Sequence, residues 1–291
     1  MKGRKWLYLG VISLVWGSSF ILMKKALIGL APFQIGAMRI LISGVLLFVV
    51  AFDKIIKIEK RHWLPIAQVA FIASFFPAFF FAFVIDEIDS SVSAVLSSLT
   101  PLITMILGAL FFGFAYQKKQ IIGIFVGLLG TLLLILSGVE NNPDQNYFYT
   151  LLILLSSIGY ALSLNIIKSK LQDANAMAIT AGGFLLLFPF AFLVLLFSGF
   201  EELNFSREIV QHSLGYVFLL SLLGTAFAKV LFNKLVQIST PVFSSSVTYL
   251  ITVVAVSWGF IDGERLSFYQ IVAISVVFTG VYLVNKKKRD T

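Results

Sequence analysis

The sequence contains no cysteine and only two histidines among its 291 residues, and both, His62 and His212, lie at the ends of long apolar runs. Disulfide bonds and thiolate metal sites are therefore excluded. All fourteen Asp and Glu residues fall in predicted loops or tails, so the carboxylate proton relays found in many membrane pumps are excluded. The sequence also lacks a glycine-rich phosphate loop that ends in Lys and Ser or Thr. We expect no cofactor, no metal and no enzymatic activity.

Apolar residues dominate the composition: 59% of the chain is hydrophobic and 12% is charged, whereas soluble domains are about 25% charged. The apolar residues form ten runs, each near the ~20 residues that a helix needs to cross hydrocarbon. The runs cover residues 6–23, 33–52, 63–85, 91–113, 120–138, 147–167, 176–198, 213–233, 241–261 and 267–285. The composition predicts an all-α integral membrane protein with ten transmembrane helices.

The basic residues indicate the orientation, because cytoplasmic loops of membrane proteins are enriched in Lys and Arg. If the N-terminus is cytoplasmic, sixteen of the 22 Lys and Arg residues lie in inside segments and four in outside segments, with Arg39 and Lys229 within runs. Both termini are therefore predicted to be cytoplasmic, and the first run is an anchor, not a cleaved signal peptide. The net charge of +8 reflects this loop bias and indicates no nucleic-acid partner.

The chain contains an internal repeat: SSLTPLIT at 97–104 returns 148 positions later as SSVTYLIT at 245–252. Each copy has five runs, and an odd number of crossings makes the second copy enter the membrane from the opposite side. Inverted repeats of this kind are typical of secondary transporters, with the substrate site near the midplane between the copies. We predict a first five-helix repeat at 1–138, a second at 147–286, a boundary loop at 139–146 and a basic cytoplasmic tail at 287–291.

The repeated motif carries a stripe of hydroxyl side chains. Ser97, Thr100 and Thr104 follow helical spacing, and the second copy repeats the stripe with Ser245, Thr248 and Thr252. Two interpretations stay open: the hydroxyls line a pathway, or they join helices through hydrogen bonds. Within the motifs, Pro101 can free a backbone carbonyl toward a cavity, and Tyr249 takes its place in the second copy. Trp16 and Tyr160, large side chains that can hydrogen-bond, are candidates for facing the cavity.

A second polar seam runs along the eighth span, where Ser221, Thr225, Lys229, Asn233 and Gln237 are each four residues apart. The corresponding positions of the third span are mostly apolar, so this seam belongs to one copy only.

Arg39 lies six residues inside the outer end of the second span, about 9 Å deep. Two interpretations stay open for both Arg39 and Lys229: each faces a wet cavity, or each extends its head group to the interface. Facing a cavity, the two cations favour an anionic or zwitterionic substrate.

An ordered set of motifs resembles the EamA group of the drug/metabolite transporter superfamily. The set is WGSSF at 16–20 with Lys24, the segment 32–39, SSLTPLIT followed by Phe112 and Gly113, GTAFAKVLFN at 224–233, and SSVTYLITVVAVSWGFIDGE at 245–264. The resemblance covers the whole chain in two copies. It implies a basket of ten helices, inverted repeats around a central cavity, and export of small metabolites such as amino acids or related amphipathic compounds across a bacterial inner membrane. By motif match, its pattern positions are Trp16, Gly17, Arg39, Pro101, Thr225 and Glu264.

The sequence therefore predicts a secondary transporter, an exporter of small metabolites by alternating access, with spans 1, 3, 4, 6, 8 and 9 around the pathway. The alternative is a passive channel or facilitator without coupled transport. The expected partners are a small-molecule substrate and the lipid bilayer, and the chain is either a monomer or a homodimer. The pathway candidates are Trp16, Arg39, Ser97, Thr100, Pro101, Thr104, Tyr160, Thr225, Lys229, Asn233, Ser245, Thr248, Tyr249 and Thr252.

Overall fold

A computed structural model describes residues 2–88, 90–136, 147–261 and 268–285, which form ten helical rods joined by short loops. The rods are α1 (Lys2–Ala26), α2 (Pro32–Ile55), α3 (Lys60–Glu87), α4a (Ser90–Ser97) with α4b (Thr100–Phe112), α5 (Lys118–Leu136), α6 (Thr150–Lys170), α7 (Ala176–Leu196), α8 (Glu208–Ile238), α9a (Pro241–Ser245) with α9b (Val247–Ile261), and α10 (Phe268–Asn285). The predicted boundary loop at 139–146, the pattern position Glu264 and the basic tail at 287–291 lie outside the described residues.

The helix ends are set by local side chains. Pro32 starts α2, where its fixed φ suits the first helical position. The side chain of Asn175 accepts two backbone N–H groups of the first turn of α7, at 2.9 and 3.3 Å. Gly113 ends α4b with a left-handed φ of 64°. The loops between the rods stay short as a result.

Six of the described rods are long and apolar enough to cross a membrane: α1, α2, α3, α6, α7 and α8. Their outer faces expose large apolar side chains, such as Val49 at 74% and Leu7 at 63%. Water disfavours such a surface, whereas lipid accepts it. The predicted all-α membrane class is confirmed, while the count of ten membrane crossings stays a prediction.

Four of the described rods contain a π-helical segment or are split into two helices. The middle of α3 is π-helical at Phe71–Phe75, and the middle of α8 is π-helical at Leu220–Phe227. The fourth and ninth rods are each broken into two helices, at 98–99 and at Ser246. The sequence predicted continuous runs at both places, and Ser246 lies 148 residues after Ser98.

The breaks have local causes. At the first break, Pro101 has no N–H to donate to the carbonyl four residues earlier, that of Ser97. The hydroxyl of Thr100 donates a hydrogen bond to that carbonyl instead, at 2.6 Å. At the second break, the hydroxyls of Ser245 and Ser246 donate to the carbonyls three residues earlier, at 2.9 and 2.7 Å, in competition with the helical pattern.

The packing pairs the two halves of the chain symmetrically. Extensive contacts join α5 with α10, α2 with α7, α1 with α9b, and α6 with α4b. A shift of 148 residues, the sequence repeat, carries α1 onto α6 and the fourth rod onto the ninth. The same shift turns the α1–α9b pair into the α6–α4b pair, and it maps the α5–α10 and α2–α7 pairs each onto itself. Each half therefore contacts the other half through equivalent helices.

Candidate functional site

A cavity lies between the two halves. The centre of a water-sized sphere can occupy about 120 Å³ of it. Nine of the fourteen pathway candidates line it: Trp16, Arg39, Ser97, Thr100, Tyr160, Thr225, Lys229, Ser245 and Thr248. Its walls come from all six spans that were predicted to surround the pathway: α1, α3, the fourth rod, α6, α8 and the ninth rod. Two further rods contribute, α2 through Arg39 and α7 through Phe184. Residues of α5 and α10 are absent from the lining in the described part of the chain.

Arg39 is held at the cavity by Thr225. Its Nε and Nη2 atoms each lie 3.3 Å from the hydroxyl oxygen of Thr225, which accepts from both. The same hydroxyl donates to the carbonyl of Leu220 at 3.1 Å, five residues earlier in the π-helical segment of α8. The guanidinium keeps its charge at any physiological pH. Arg39 thus faces the cavity.

Lys229 is held by α3. Its ammonium donates to the backbone carbonyl of Ala73 and lies 5.4 Å from the ring centroid of Tyr160, a cation–π distance. The side chain is 8% exposed. In a regular helix the carbonyl of Ala73 would accept the N–H of residue 77, but Pro77 has none. Pro77 therefore leaves an acceptor available, and Lys229 uses it.

Among the described residues, the lining contains two cationic side chains and no acidic one. The ion pairs among the described residues join neighbours at helix ends and loops: Lys54 with Asp53, Arg61 with Glu59, Asp173 with Arg61 and His62, and His212 with Glu208. The cavity therefore has a positive charge that no lining side chain compensates. In the described part of the chain, no three His, Asp or Glu side chains come together as metal ligands.

The hydroxyl stripes divide in the same way in both copies. Ser97 and Thr100 line the cavity, as do Ser245 and Thr248 in the second copy. The third member of each stripe does not: Thr104 donates to its own helix at 2.7 Å. Its counterpart Thr252 also donates to the carbonyl of Ala94 at 3.1 Å, which joins α9b to α4a. The four hydroxyls that line the cavity also donate to backbone carbonyls three or four residues earlier. A role of the stripes in a solute pathway stays a prediction.

Five candidates lie off the lining: Pro101, Thr104, Asn233, Tyr249 and Thr252. Tyr249 is fully buried, and its hydroxyl donates to the carbonyl of Ile124 in α5 at 3.1 Å. The amide of Asn233 donates to Thr180 of α7 at 2.9 Å. These side chains join helices.

Aromatic rings form the apolar wall. The indole Nε1–H of Trp16 donates to the carbonyl of Gly224 at 2.7 Å, and its ring lies 4.8 Å from that of Phe232. Across the cavity, the rings of Phe81 and Tyr160 are 6.3 Å apart. Phe81 and Phe232 were missed as pathway residues, because a phenylalanine in an apolar run gives no signal of which face it occupies.

A family model described as the EamA-like transporter family matches the chain twice, at residues 4–136 and 148–286. A curated relative from Archaeoglobus fulgidus, an uncharacterized transporter, is 24% identical over 98% of this chain and 100% of its own length. The uncharacterized inner membrane transporter YedA of Escherichia coli K12 is 26% identical over 94% of this chain and 88% of its own.

Two further comparisons are more distant. Solute carrier family 35 member F5 from Bos taurus is 28% identical over 53% of this chain and 33% of its own length. A protein of known crystal structure superimposes with a TM-score of 0.77 at 13% identity, over 98% of this chain and 97% of its own, which shows a common fold.

Proposed function

Because this chain belongs to the EamA-like transporter family, and is therefore a membrane transporter and not an enzyme, we propose that it exports small metabolites by alternating access. The solutes proposed are amino acids or related amphipathic compounds. The single observation that carries the proposal is the cavity, which is enclosed by eight rods and lined from both halves of the chain. A solute held there would be exposed to one side of the membrane at a time.

The proposed architecture is two inverted five-helix repeats, residues 1–138 and 147–286, with both termini in the cytoplasm of a bacterial inner membrane. The symmetric helix pairs, the paired π-helical segments and the paired helix breaks support it, since all follow the 148-residue repeat. Related halves of opposite orientation can exchange conformations, which turns an inward-open state into an outward-open state.

The lining supports an amphipathic solute. Hydroxyls of Ser97, Thr100, Ser245 and Thr248 offer hydrogen bonds, while Trp16, Phe81 and Phe232 offer apolar rings. Binding pockets for small molecules commonly combine an apolar wall with a few placed polar groups.

Counterflow in proteoliposomes tests transport. Vesicles preloaded with an unlabelled pool of candidate metabolites should transiently accumulate a labelled member of the pool, and the initial rate should saturate. A rate that rises linearly with concentration, with no stimulation by the internal pool, would instead identify a passive channel.

Topology is tested separately. Reporter tags at the two ends should both report the cytoplasm, and a tag in the loop after α5 should report the outside. Ends on opposite faces would reject the inverted repeat. Metabolite profiles of cells with and without the protein would then identify the solute.

A further inference from the structure

Arg39 and Lys229 have hydrogen-bond donors to spare. A guanidinium carries five N–H donors and an ammonium three. Arg39 directs its Nε and Nη2 atoms at Thr225, and Lys229 donates to Ala73. Among the described residues, no other hydrogen-bond acceptor is found for either cation, and no acidic side chain lines the cavity.

Cationic side chains buried without an anion are costly, because the desolvation of the charge is not repaid. Lys229 is 8% exposed and its head group lies inside the cavity wall. A protein that keeps a buried ammonium and a part-buried guanidinium at one cavity offers a site for a negatively charged ligand group.

Both cations are fixed at neighbouring positions of α8. Thr225, which holds Arg39, precedes Lys229 by four residues, and a rise of 1.5 Å per residue places Thr225 and Lys229 about 6 Å apart along the helix. Thr225 and Lys229 therefore lie on the same face of α8, about one turn apart. A carboxylate has two oxygens and can accept from a guanidinium and an ammonium at once.

We propose that Arg39 and Lys229 form an anion seat, and that the transported solute is an amphipathic monocarboxylate whose carboxylate occupies this seat. The inference rests on the proposed transport function. The apolar body of the solute lies against the rings of Trp16 and Phe232 and of Phe81 and Tyr160 on the cavity wall.

The seat also discriminates against zwitterions. An α-ammonium group would lie next to the bound carboxylate, and hence next to two fixed cations, with no lining carboxylate to compensate it. An amino acid should thus bind more weakly than the carboxylic acid of the same skeleton. The proposed solutes thereby narrow from amino acids or related amphipathic compounds to the carboxylic acids among these compounds that carry no α-ammonium group.

Four probes with one phenylpropyl skeleton test the seat: 3-phenylpropanoate (anion), phenylalanine (zwitterion), 3-phenylpropan-1-ol (neutral) and 3-phenylpropan-1-amine (cation). Equilibrium binding to the full-length protein in nanodiscs at pH 7 should follow that order, with the anion at least about tenfold tighter than the cation. Equal affinities, a tighter cation, or no measurable binding of the anion would each overturn the seat.

Matched variants locate the effect. Arg39→Gln and Lys229→Gln should each reduce the preference for the anion over the alcohol by about tenfold. Lys234→Gln removes the same charge from an exposed position of α8 and should leave the preference unchanged. An anion preference that survives both cavity substitutions would overturn the assignment, and the wild-type probe series remains decisive if a cavity variant fails to fold.

The binding measurement separates this inference from transport. Anion-selective binding without saturable flux in proteoliposomes would retain the seat and reject the transporter. Saturable flux with no charge preference would retain the transporter and reject the seat.

Discussion

Thr225 and Arg39 connect α8 to α2 inside the cavity, with the threonine hydroxyl 3.3 Å from both Nε and Nη2 of the arginine. The hydroxyl is itself fixed, because it donates to the carbonyl of Leu220. Thr225 therefore determines where the guanidinium points, and it stands at the position where the first copy has Pro77. The two copies thus use one equivalent site in different ways: Pro77 frees a carbonyl for Lys229, and Thr225 supplies an acceptor for Arg39.

Replacing Thr225 tests this positioning role. Thr225→Val keeps the side-chain shape and removes the acceptor, which leaves Arg39 with an unmade hydrogen bond, worth about 1–3 kcal/mol. We expect the KM of saturable transport to rise about tenfold. Thr225→Ser keeps the hydroxyl and should stay within about twofold of wild type. Equal KM values for the Val and Ser variants would contradict the role.

Thr248 and Thr279 form a matched pair for the hydroxyl stripe. Both hydroxyls donate to a backbone carbonyl three or four residues earlier, at 2.9 Å, but Thr248 lines the cavity and Thr279 lies exposed on α10. Thr248→Val should lower the initial transport rate several-fold, because a solute would lose a hydrogen-bonding group. Thr279→Val should have no effect on the rate. If both variants transport equally well, the stripe has no role in the pathway.

Gly280 tests the packing of α10 on α5. A methyl group at Gly280 would lie 2.8 Å from the carbonyl oxygen of Gly123 and 2.5 Å from the Cα of Gly127, so the helices would have to separate. Gly280→Ala should lower the unfolding free energy by about 1–3 kcal/mol, the usual cost of overpacking. The readout is the thermal melting midpoint in detergent.

Gly10 provides the control for that substitution, since nothing lies within 4 Å of the position of an added methyl group. Gly10→Ala should leave the melting midpoint unchanged or raise it, because alanine favours helix over glycine. A fall of the same size in both variants would show that the effect is not specific to the α5–α10 contact.

Asp173 gives a pH prediction. It lies in the loop after α6 and contacts Arg61 and His62 at the start of α3. A backbone hydrogen bond and the neighbouring Arg61 and His62 side chains lower the pKa of Asp173 below its ordinary value of 3.8. A carboxyl with a lowered folded-state pKa contributes stability that is fully present above the ordinary pKa and is lost as the pH falls through the lowered one.

Thermal melting of wild type and Asp173→Asn measures that contribution. Wild type should melt at a higher temperature at pH 7, and the difference should begin to shrink below about pH 4. The asparagine has no carboxyl to titrate, so it sets the baseline. A difference that stays constant down to pH 2.5 would argue against the carboxylate as its source.

Much of the helical architecture could be predicted, because apolar runs and basic loops follow directly from the properties of a bilayer. The predicted run 33–52 corresponds to α2 at Pro32–Ile55, and the run 176–198 to α7 at Ala176–Leu196. The side chains of Arg39 and Lys229 stood out for the same reason, since a cation in an apolar run needs an explanation.

The π-helical segments and the helix breaks could not be predicted in the same detail. Pro77 indicated a bend, but the π-helical turn ahead of it, and the use of the Ala73 carbonyl by a lysine 156 residues away, depend on tertiary packing. Tyr249 was predicted to face the pathway because it lies in a repeated motif. The structure turns it toward α5, where Gly127 leaves room for its ring. Sequence spacing gives the face of a helix, but not which neighbour that face meets.

The glycine contact between α5 and α10 restricts the sliding of these two helices along each other. Where Gly127 and Gly280 touch backbone to backbone, no side chain can swing aside to let one helix slide along the other. This pair also contributes nothing to the cavity wall among the described residues. It is suited to serve as a fixed frame, so the motion that admits and releases a solute should fall to the remaining eight rods.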